Sequence, residues 1–286
     1  MKVVHTSAVL KHALAAHNKV AFVPTMGNFH DGHLTLVELA KQQADCVVVS
    51  IFVNPLQFDS SADLEQYPRT LEADCKKLEA IGATIVFAPS VEEMYPDFDG
   101  TSLNQTMIIT PPPMASILCG ASRPGHFSGV ATIVAKLFNL VQPDVAVFGK
   151  KDFQQLAIIR ELVKQFNFAI KIIAGDIVRE ASGLAMSSRN GHFTAQQKTQ
   201  AEQLNQALKS AIAGAQTTPT TFMNIEKQTT EALTKQGWEV DYISIRSALT
   251  LKPAREDDEQ LVILGAATLA NIRLIDNIEF CAKPLN

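Results

Sequence analysis

The chain has 286 residues, 47% of them hydrophobic and 19% charged, which is typical of one large globular domain or two moderate ones. The formal net charge of -4 argues against a nucleic-acid partner, because proteins that bind DNA or RNA are more often basic. The apolar stretches at residues 46–53 and 261–270 are too short to cross a bilayer, so we expect no membrane partner. The four cysteines include no Cys-x-x-Cys pair and residues 1–20 lack the apolar run of a signal peptide, so we expect a cytoplasmic location.

The first 178 residues alternate between strand-like and helix-like patterns. Short apolar runs predict strands at 20–24, 46–53, 83–88, 145–148 and 170–178. Apolar residues at helical period predict helices at 32–44, 70–81, 127–140 and 153–166. Strands that are apolar throughout and are separated by helices predict an α/β fold, a parallel sheet with helices on both faces.

The remainder of the chain has a different pattern. It predicts two helices, at 195–215 and 220–236, and then three strands, at 238–246, 260–265 and 272–275. We therefore expect a second, smaller α+β domain of about 105 residues, with the boundary near residues 178–190.

Ligands of parallel α/β sheets bind beyond the carboxyl ends of the strands, so the loops there are the candidate site. The first loop contains Gly27, His30, Asp31 and His33, and Asp31 is a suitable N-cap for the helix that follows. The histidines would then flank the positive end of a helix dipole, which suits the phosphates of ATP. A helix start that happens to hold two histidines explains the pattern equally well, and zinc bound with His126 as third ligand is a weaker alternative.

Two further loops carry polar side chains. Asn54 and Gln57 follow the second predicted strand, where amides suit a hydroxyl or carboxylate of a small substrate, although a polar turn around Pro55 would look the same. Arg123 and His126 precede a predicted helix and could bind a carboxylate or cap that helix.

The remaining strand ends favour anions. One strand is followed by Gly149, Lys150, Lys151 and Asp152, and a lysine here could reach phosphate. Asp152 could cap a helix, bind ribose or help to hold Mg²⁺. Gln155 would face the same site. After the last strand, the segment from Met186 to Arg189 offers two hydroxyls and a guanidinium, a common loop composition that also suits a phosphate. Four such loops at one sheet edge indicate an enzyme that uses ATP. The sequence contains no Walker A and no Gly-x-Gly-x-x-Gly motif, which excludes a P-loop NTPase and an ordinary dinucleotide-binding protein.

The order and spacing of these motifs resemble the pantoate–β-alanine ligase family, part of the nucleotidyltransferase superfamily with an HxGH motif. The motifs are PTMGNFHDGH, SIFVNPLQF, YPRTLEAD, GASRPGHF, FGKKDFQQL, MSSRN and RLIDN. The resemblance implies a Rossmann-like ATP- and pantoate-binding domain over residues 1–178 and a smaller α+β lid domain over residues 179–286. It also implies an ATP-dependent ligase that joins pantoate to β-alanine through pantoyl adenylate and releases AMP and pyrophosphate, with Mg²⁺ as cofactor and a homodimer as assembly.

The resemblance further implies a role for individual residues. The implied catalytic groups are His30, His33 and Lys151, with His33 as the proton donor. The implied ATP-binding residues are Met26, Gly27, His30, His33, Gly149, Lys151, Asp152, Val178, Met186, Ser187, Ser188 and Arg189. The implied substrate-binding residues are Gln57 and Gln155, with Asn54 and Arg123 further out. The motifs do not assign the Mg²⁺ ligands, for which Asp74 is a candidate.

Two positions depart from the usual motifs of that family, because Lys150 and Cys119 stand where acidic residues are common. We expect Lys150 to point to solvent and Lys151 to contact phosphate, although the two could share that role. Another adenylate-forming enzyme or nucleotidyltransferase of the superfamily would share the histidines but lack the paired amides Gln57 and Gln155. A nucleotide-binding regulator without activity should have lost a histidine or Lys151.

Overall fold

The computed structural model describes residues 1–99, 103, 105, 107–217, 221–255 and 257–281. The chain forms two compact units. The first contains Met1–Lys150 and Ile158–Asp176, and the second contains Lys151–Ala157 and Ile177–Asn286. The domain ranges expected from the sequence, 1–178 and 179–286, stay a prediction.

The first unit contains a parallel sheet of six strands in the order β1-β4-β3-β2-β5-β6. The strands are β1 (Lys2–Val4), β2 (Val20–Thr25), β3 (Cys46–Ile51), β4 (Ile85–Phe87), β5 (Val145–Gly149) and β6 (Lys171–Gly175). The predicted α/β fold with a Rossmann-like parallel sheet is therefore confirmed.

Consecutive side chains of a strand point to opposite faces of the sheet, so an apolar strand has two faces to bury. Helices cover both faces of this sheet. The helices are α1 (Ser7–Leu14), α2 (Asp31–Lys41), α3 (Ser61–Gln66), α4 (Leu71–Ile81), α5 (Val91–Met94), α6 (Cys119–Ser122), α7 (His126–Val141) and α8 (Phe153–Gln165). On β2, Phe22 packs edge-on against Phe138 of α7, whereas Val23 belongs to the cluster that includes Val37 of α2. Both strand residues are fully buried, which explains why the strand is apolar throughout.

The strand order reverses between β2 and β5, which pair through Ala21 with Val145 and Phe22 with Ala146. In open α/β sheets, ligands bind beyond the carboxyl ends of the strands at a reversal of this kind. The loop after β2 leads into α2, and the residues after β5 lead into α8. The fold therefore places the two loops with the strongest anion-binding patterns at the topological switch point.

The second unit packs two helices on a three-stranded antiparallel sheet, β7-β8-β9. Its elements are α9 (Ala195–Thr217), α10 (Phe222–Lys235), β7 (Glu239–Ser247), β8 (Gln260–Leu269) and β9 (Ile272–Cys281). Strands β8 and β9 are longer than predicted, because Leu269 pairs with Ile272 across a hairpin whose two loop residues, Ala270 and Asn271, have positive φ. Within the part of the chain that the structure describes, no helix combines the length and apolarity that a membrane crossing requires.

Gly129 of α7 touches the 3-10 turn Pro55–Gln57, and a Cβ there would overlap the Leu56 carbonyl group. We expect Gly129→Ala to lower the melting temperature by several degrees, since overpacking costs about 1–3 kcal/mol. The matched control is Gly214→Ala in α9, where a Cβ meets no atom within 4 Å and alanine is the better helix former. Calorimetry of both variants tests this prediction, and equal melting temperatures would contradict the tight contact at Gly129.

Candidate active site

The loop after β2 has two consecutive residues in the left-handed region, Gly27 at φ 83° and Asn28 at φ 55°. Glycine adopts this conformation at little cost, whereas a side chain at Gly27 would also lie 3.0 Å from Asp74 Oδ2 and 3.1 Å from Ile51 Cγ2. Glycine at position 27 therefore lets the loop take this conformation while it packs closely against Asp74 and Ile51.

Helix α4 fixes the backbone of this loop. Asp74 is 1% exposed, and its carboxylate accepts hydrogen bonds from the N–H of Asn28 at 2.8 Å, the N–H of Phe29 at 2.9 Å and the hydroxyl of Thr70 at 2.9 Å. One turn later, Lys77 Nζ donates to the carbonyl oxygen of Phe29 at 2.6 Å. No motif indicated Lys77, although its spacing of three residues from Asp74 places both side chains on one helical face.

The two histidines lie at the start of α2. His30 is the N-cap residue and Asp31 the first helical residue, so the expectation that Asp31 caps this helix is wrong. Asp31 still supports the helix as an acid in its first turn. The imidazole centroids of His30 and His33 are 4.1 Å apart, and the backbone N–H of His30 donates to His33 Nδ1 at 3.4 Å. Because Nδ1 accepts, the proton of a neutral His33 lies on Nε2, where it can be donated to a ligand oxygen.

The predicted amides Asn54 and Gln57 contact each other and the first loop. Asn54 Nδ2 donates to Gln57 Oε1 at 3.1 Å, and Gln57 Nε2 lies 3.1 Å from the sulfur of Met26. The hydroxyl of Tyr95 donates to Asn54 Oδ1 at 2.6 Å, and burial raises the pKa of Tyr95 well above its usual value. No sequence motif indicated Tyr95, because it lies 41 positions from Asn54 along the chain.

Arg123 and His126 bind the main chain at Gln57 and do not cap α7. The carbonyl oxygen of Gln57 accepts from Arg123 Nη2 at 3.2 Å and lies 2.8 Å from His126 Nδ1. Arg123 Nε also forms an ion pair with Asp59 at 2.6 Å. The N-cap of α7 is Gly125, without a side-chain hydrogen bond. Among the described residues, no three His, Cys, Asp or Glu side chains come together as a metal site, so His126 does not join His30 and His33.

At the end of β5, Gly149 lies against Leu36 of α2. The neighbouring Lys150 forms an ion pair with Asp176 at 2.9 Å, and its side chain is 28% exposed. Because the side chain of Asp176 is 89% exposed, this ion pair lies at the surface, and the expectation that Lys150 points to solvent stays a prediction.

The remaining predicted residues belong to the second unit. Lys151 and Asp152 form a 3-10 turn with Lys150 ahead of α8, and Gln155 lies in the first turn of that helix. The carbonyl oxygen of Lys151 accepts from Asn277 Nδ2 at 3.0 Å. A buried group from β9, in the RLIDN motif, thus fixes the backbone of the predicted phosphate-binding lysine.

The loop from Val178 to Arg189 is anchored at its beginning and along its length. Arg179 forms a bidentate pair with Asp276 at 2.7 and 2.9 Å, and the carbonyl oxygen of Val178 accepts from the N–H of Met186 at 3.0 Å. Ser187 Oγ accepts from the N–H of Arg189 at 3.2 Å, and this contact begins a 3-10 turn. No local pattern indicated the pair of Arg179 and Asp276, because the two residues are 97 positions apart along the chain.

The match to known proteins extends over the whole chain. The family model described as pantoate–β-alanine ligase matches residues 2–279. The chain is 59% identical over 280 residues to the pantothenate synthetase of Methylobacillus flagellatus, covering 98% of this chain and 99% of that protein. It also resembles the crystal structure of pantothenate synthetase from Thermus thermophilus, with 39% identity, a TM-score of 0.90 and coverage of 99% and 100% of the two chains.

A further solved structure is the pantoate–β-alanine ligase of Francisella tularensis complexed with β-γ ATP and β-alanine. It is 32% identical, has a TM-score of 0.79 and covers 99% of this chain and 98% of its own. The identity and coverage far exceed what a shared fold alone requires. The chain therefore belongs to the pantoate–β-alanine ligase family.

Proposed function

We propose that the protein joins pantoate to β-alanine in two steps, using ATP and releasing AMP and pyrophosphate. The observation that carries this proposal is the contact between Met26 and Gln57, which joins the nucleotide loop to the amide site within one unit. An acid bound at Gln57 thereby lies beside the loop that carries His30 and His33.

In the first step, a carboxylate oxygen of pantoate attacks the α-phosphorus of ATP, and the bond to the β-phosphate breaks. Negative charge builds up on the phosphate oxygens during this displacement, so fixed donors lower the barrier. We assign this role to His30, His33 and Lys151, with His33 Nε2 as the proton donor. The product is pantoyl adenylate, a mixed anhydride.

In the second step, the amine of β-alanine attacks the acyl carbon of this anhydride. The bond between the acyl carbon and the phosphate oxygen breaks, AMP leaves, and the nitrogen loses a proton as the amide forms. No enzyme nucleophile is needed, because ATP has already activated the carboxylate. Exclusion of water protects the anhydride from hydrolysis, and we assign that role to residues 179–286 as a lid.

The other predicted residues receive binding roles. Gln57 and Gln155 hold pantoate, and Asn54 and Arg123 keep Gln57 in place. The residues assigned to ATP are Met26, Gly27, His30, His33, Gly149, Lys151, Asp152, Val178, Met186, Ser187, Ser188 and Arg189. Asp152 would bind the ribose, and Val178 would meet adenine through its backbone. We also propose a homodimer in the cytoplasm with small molecules as its ligands.

Mg²⁺ is the usual partner of ATP phosphates, but Asp74 does not fit as its ligand. The Asp74 carboxylate is buried and already accepts hydrogen bonds from three donors. We therefore assign Asp74 the positioning of the nucleotide loop. Mg²⁺ would reach the site with the triphosphate, and none of the steps above depends on a metal ligand from the protein.

The reaction order gives the first test. We expect pantoate alone to support exchange of labelled pyrophosphate into ATP, because adenylate formation is reversible. Net AMP formation should require both pantoate and β-alanine. The absence of exchange with pantoate, while another acid supports it, would contradict the assignment.

His33→Ala should lower turnover on the order of a hundredfold or more, because it removes the donor next to the reacting phosphate. His12→Ala, an exposed residue of α1, is the matched control and should keep wild-type turnover. AMP release at saturating substrates measures both variants. Near-normal turnover of His33→Ala would remove His33 from the mechanism.

Asp74→Asn should lower kcat/KM for ATP about tenfold to a hundredfold, because an NH₂ group would oppose a backbone N–H of the loop. The Mg²⁺ concentration that gives half-maximal activity should stay unchanged. Glu72→Gln on the same helix, where the carboxylate is 87% exposed, is the matched control. A large increase in the Mg²⁺ requirement of Asp74→Asn would instead make Asp74 a metal ligand.

A further inference from the structure

The two ends of the Gln57 amide are chemically opposite, one an acceptor and the other a donor, so its orientation decides which substrate group it can bind. That orientation follows from Asn54. The N–H of Leu56 lies 3.4 Å from Asn54 Oδ1, and the carbonyl oxygen of Gly129 lies 3.2 Å from Asn54 Nδ2. A backbone N–H can only donate and a carbonyl can only accept, so the amide of Asn54 has one acceptable orientation.

The orientation of Asn54 is passed on to Gln57. Because Asn54 presents its NH₂ group, the end of Gln57 that lies 3.1 Å away is the acceptor, Oε1. The NH₂ group of Gln57 is thereby turned to the other side, where it meets the Met26 sulfur, a weak acceptor, at 3.1 Å. A substrate oxygen that approaches this side of Gln57 meets a hydrogen-bond donor.

Tyr95 makes the shortest contact with Asn54. Its hydroxyl lies 2.6 Å from Asn54 Oδ1, and an oxygen that only accepts leaves the tyrosine as the donor. The tyrosine is 2% exposed; its ring lies 6.2 Å from that of Phe52, and Lys136 Nζ lies 5.0 Å from its centroid. Packing on this ring holds the hydroxyl in place, and because Asn54 is fully buried, bulk water cannot replace that donor.

We propose that Tyr95 is a positioning residue that acts through Asn54 to hold the Gln57 amide with its NH₂ group towards the acid substrate. Gln57 then binds an oxygen of the substrate that accepts a hydrogen bond, and the role of Tyr95 in binding depends entirely on Gln57. This inference rests on the proposed function, because it takes pantoate as that substrate. It extends the substrate site to a residue that contacts no substrate itself.

Tyr95→Phe removes the hydroxyl and keeps the ring. We expect this variant to lower kcat/KM for pantoate in pyrophosphate exchange about tenfold, with KM for ATP unchanged, because a buried acceptor loses its strongest donor. The matched control is Tyr67→Phe in the first unit, which removes a tyrosine hydroxyl, keeps the edge-on ring contact with Phe58 and should change neither value.

A double-mutant cycle separates positioning from a general effect on folding. In a Gln57→Ala background, Tyr95→Phe should change kcat/KM for pantoate by less than about twofold, because the group that Tyr95 positions is absent. In an Asn54→Ser background its effect should be equally small. We compare kcat/KM because it can be measured below saturation, in variants that bind pantoate weakly.

A tenfold loss from Tyr95→Phe in the Gln57→Ala background would overturn the proposal, since the hydroxyl would then act independently of Gln57. An unchanged kcat/KM in the single variant would overturn it as well. If wild-type protein shows no exchange with pantoate, the proposed function fails first and the inference fails with it. If the wild type shows pyrophosphate exchange with pantoate but the effects of Tyr95→Phe and Gln57→Ala are additive, only the inference is rejected.

Discussion

One buried carboxylate holds the segment to which we assign the binding of the nucleotide. Asp74 accepts the N–H groups of Asn28 and Phe29 and thereby holds the loop that leads from β2 to His30. The left-handed region costs up to about 1–2 kcal/mol for a residue with a side chain, and an asparagine such as Asn28 lies at the low end of that range. Two hydrogen bonds to a charged acceptor contribute about 1.5–3 kcal/mol each, which is enough to offset that strain. Without this acceptor, the N–H groups of Asn28 and Phe29 would lose the partner that they share, and Lys77 would hold the loop only through the carbonyl oxygen of Phe29.

The same principle recurs elsewhere in the chain, where buried polar groups hold segments that carry the predicted chemistry. Tyr95 and Asn54 orient the amide of Gln57 in the first unit. In the second unit, Asp276 of β9 pairs with Arg179 at 2.7 Å and is 4% exposed, while Asn277 next to it binds the backbone at Lys151. Burial makes each of these contacts costly to break, because the remaining partner would lose its hydrogen bond away from water. Rigid support of this kind is what positioned electrostatic catalysis requires.

Sequence patterns predicted the main strands of the parallel sheet because buried strands are apolar throughout, but they did not predict every element. The edge strand β1 was missed because its three residues are too short for a period to be recognised. Strand β8 continues to Leu269, four residues beyond its predicted end, because pairing with β9 stabilises an Ala-Ala-Thr stretch of modest intrinsic preference. The loops after β2, β3 and β5 begin within two residues of the predicted strand ends, because the end of an apolar run is a local signal. The strand predicted at 170–178 instead ends at Gly175, so the segment from Met186 to Arg189 lies well beyond it.

The sequence by itself therefore determined the fold class, the family and the local motifs that carry histidines, amides and lysines. Only the tertiary structure decided which groups contact these motifs. Asp74 binds the loop backbone, Tyr95 donates to Asn54, and Asp176 forms an ion pair with Lys150. The physical reason is that a motif is set by neighbouring residues, whereas each of these contacts joins segments that the chain separates by 26 to 46 residues. Periodicity and spacing carry no information about such pairs, and buried hydrogen bonds exist only once the packing has formed.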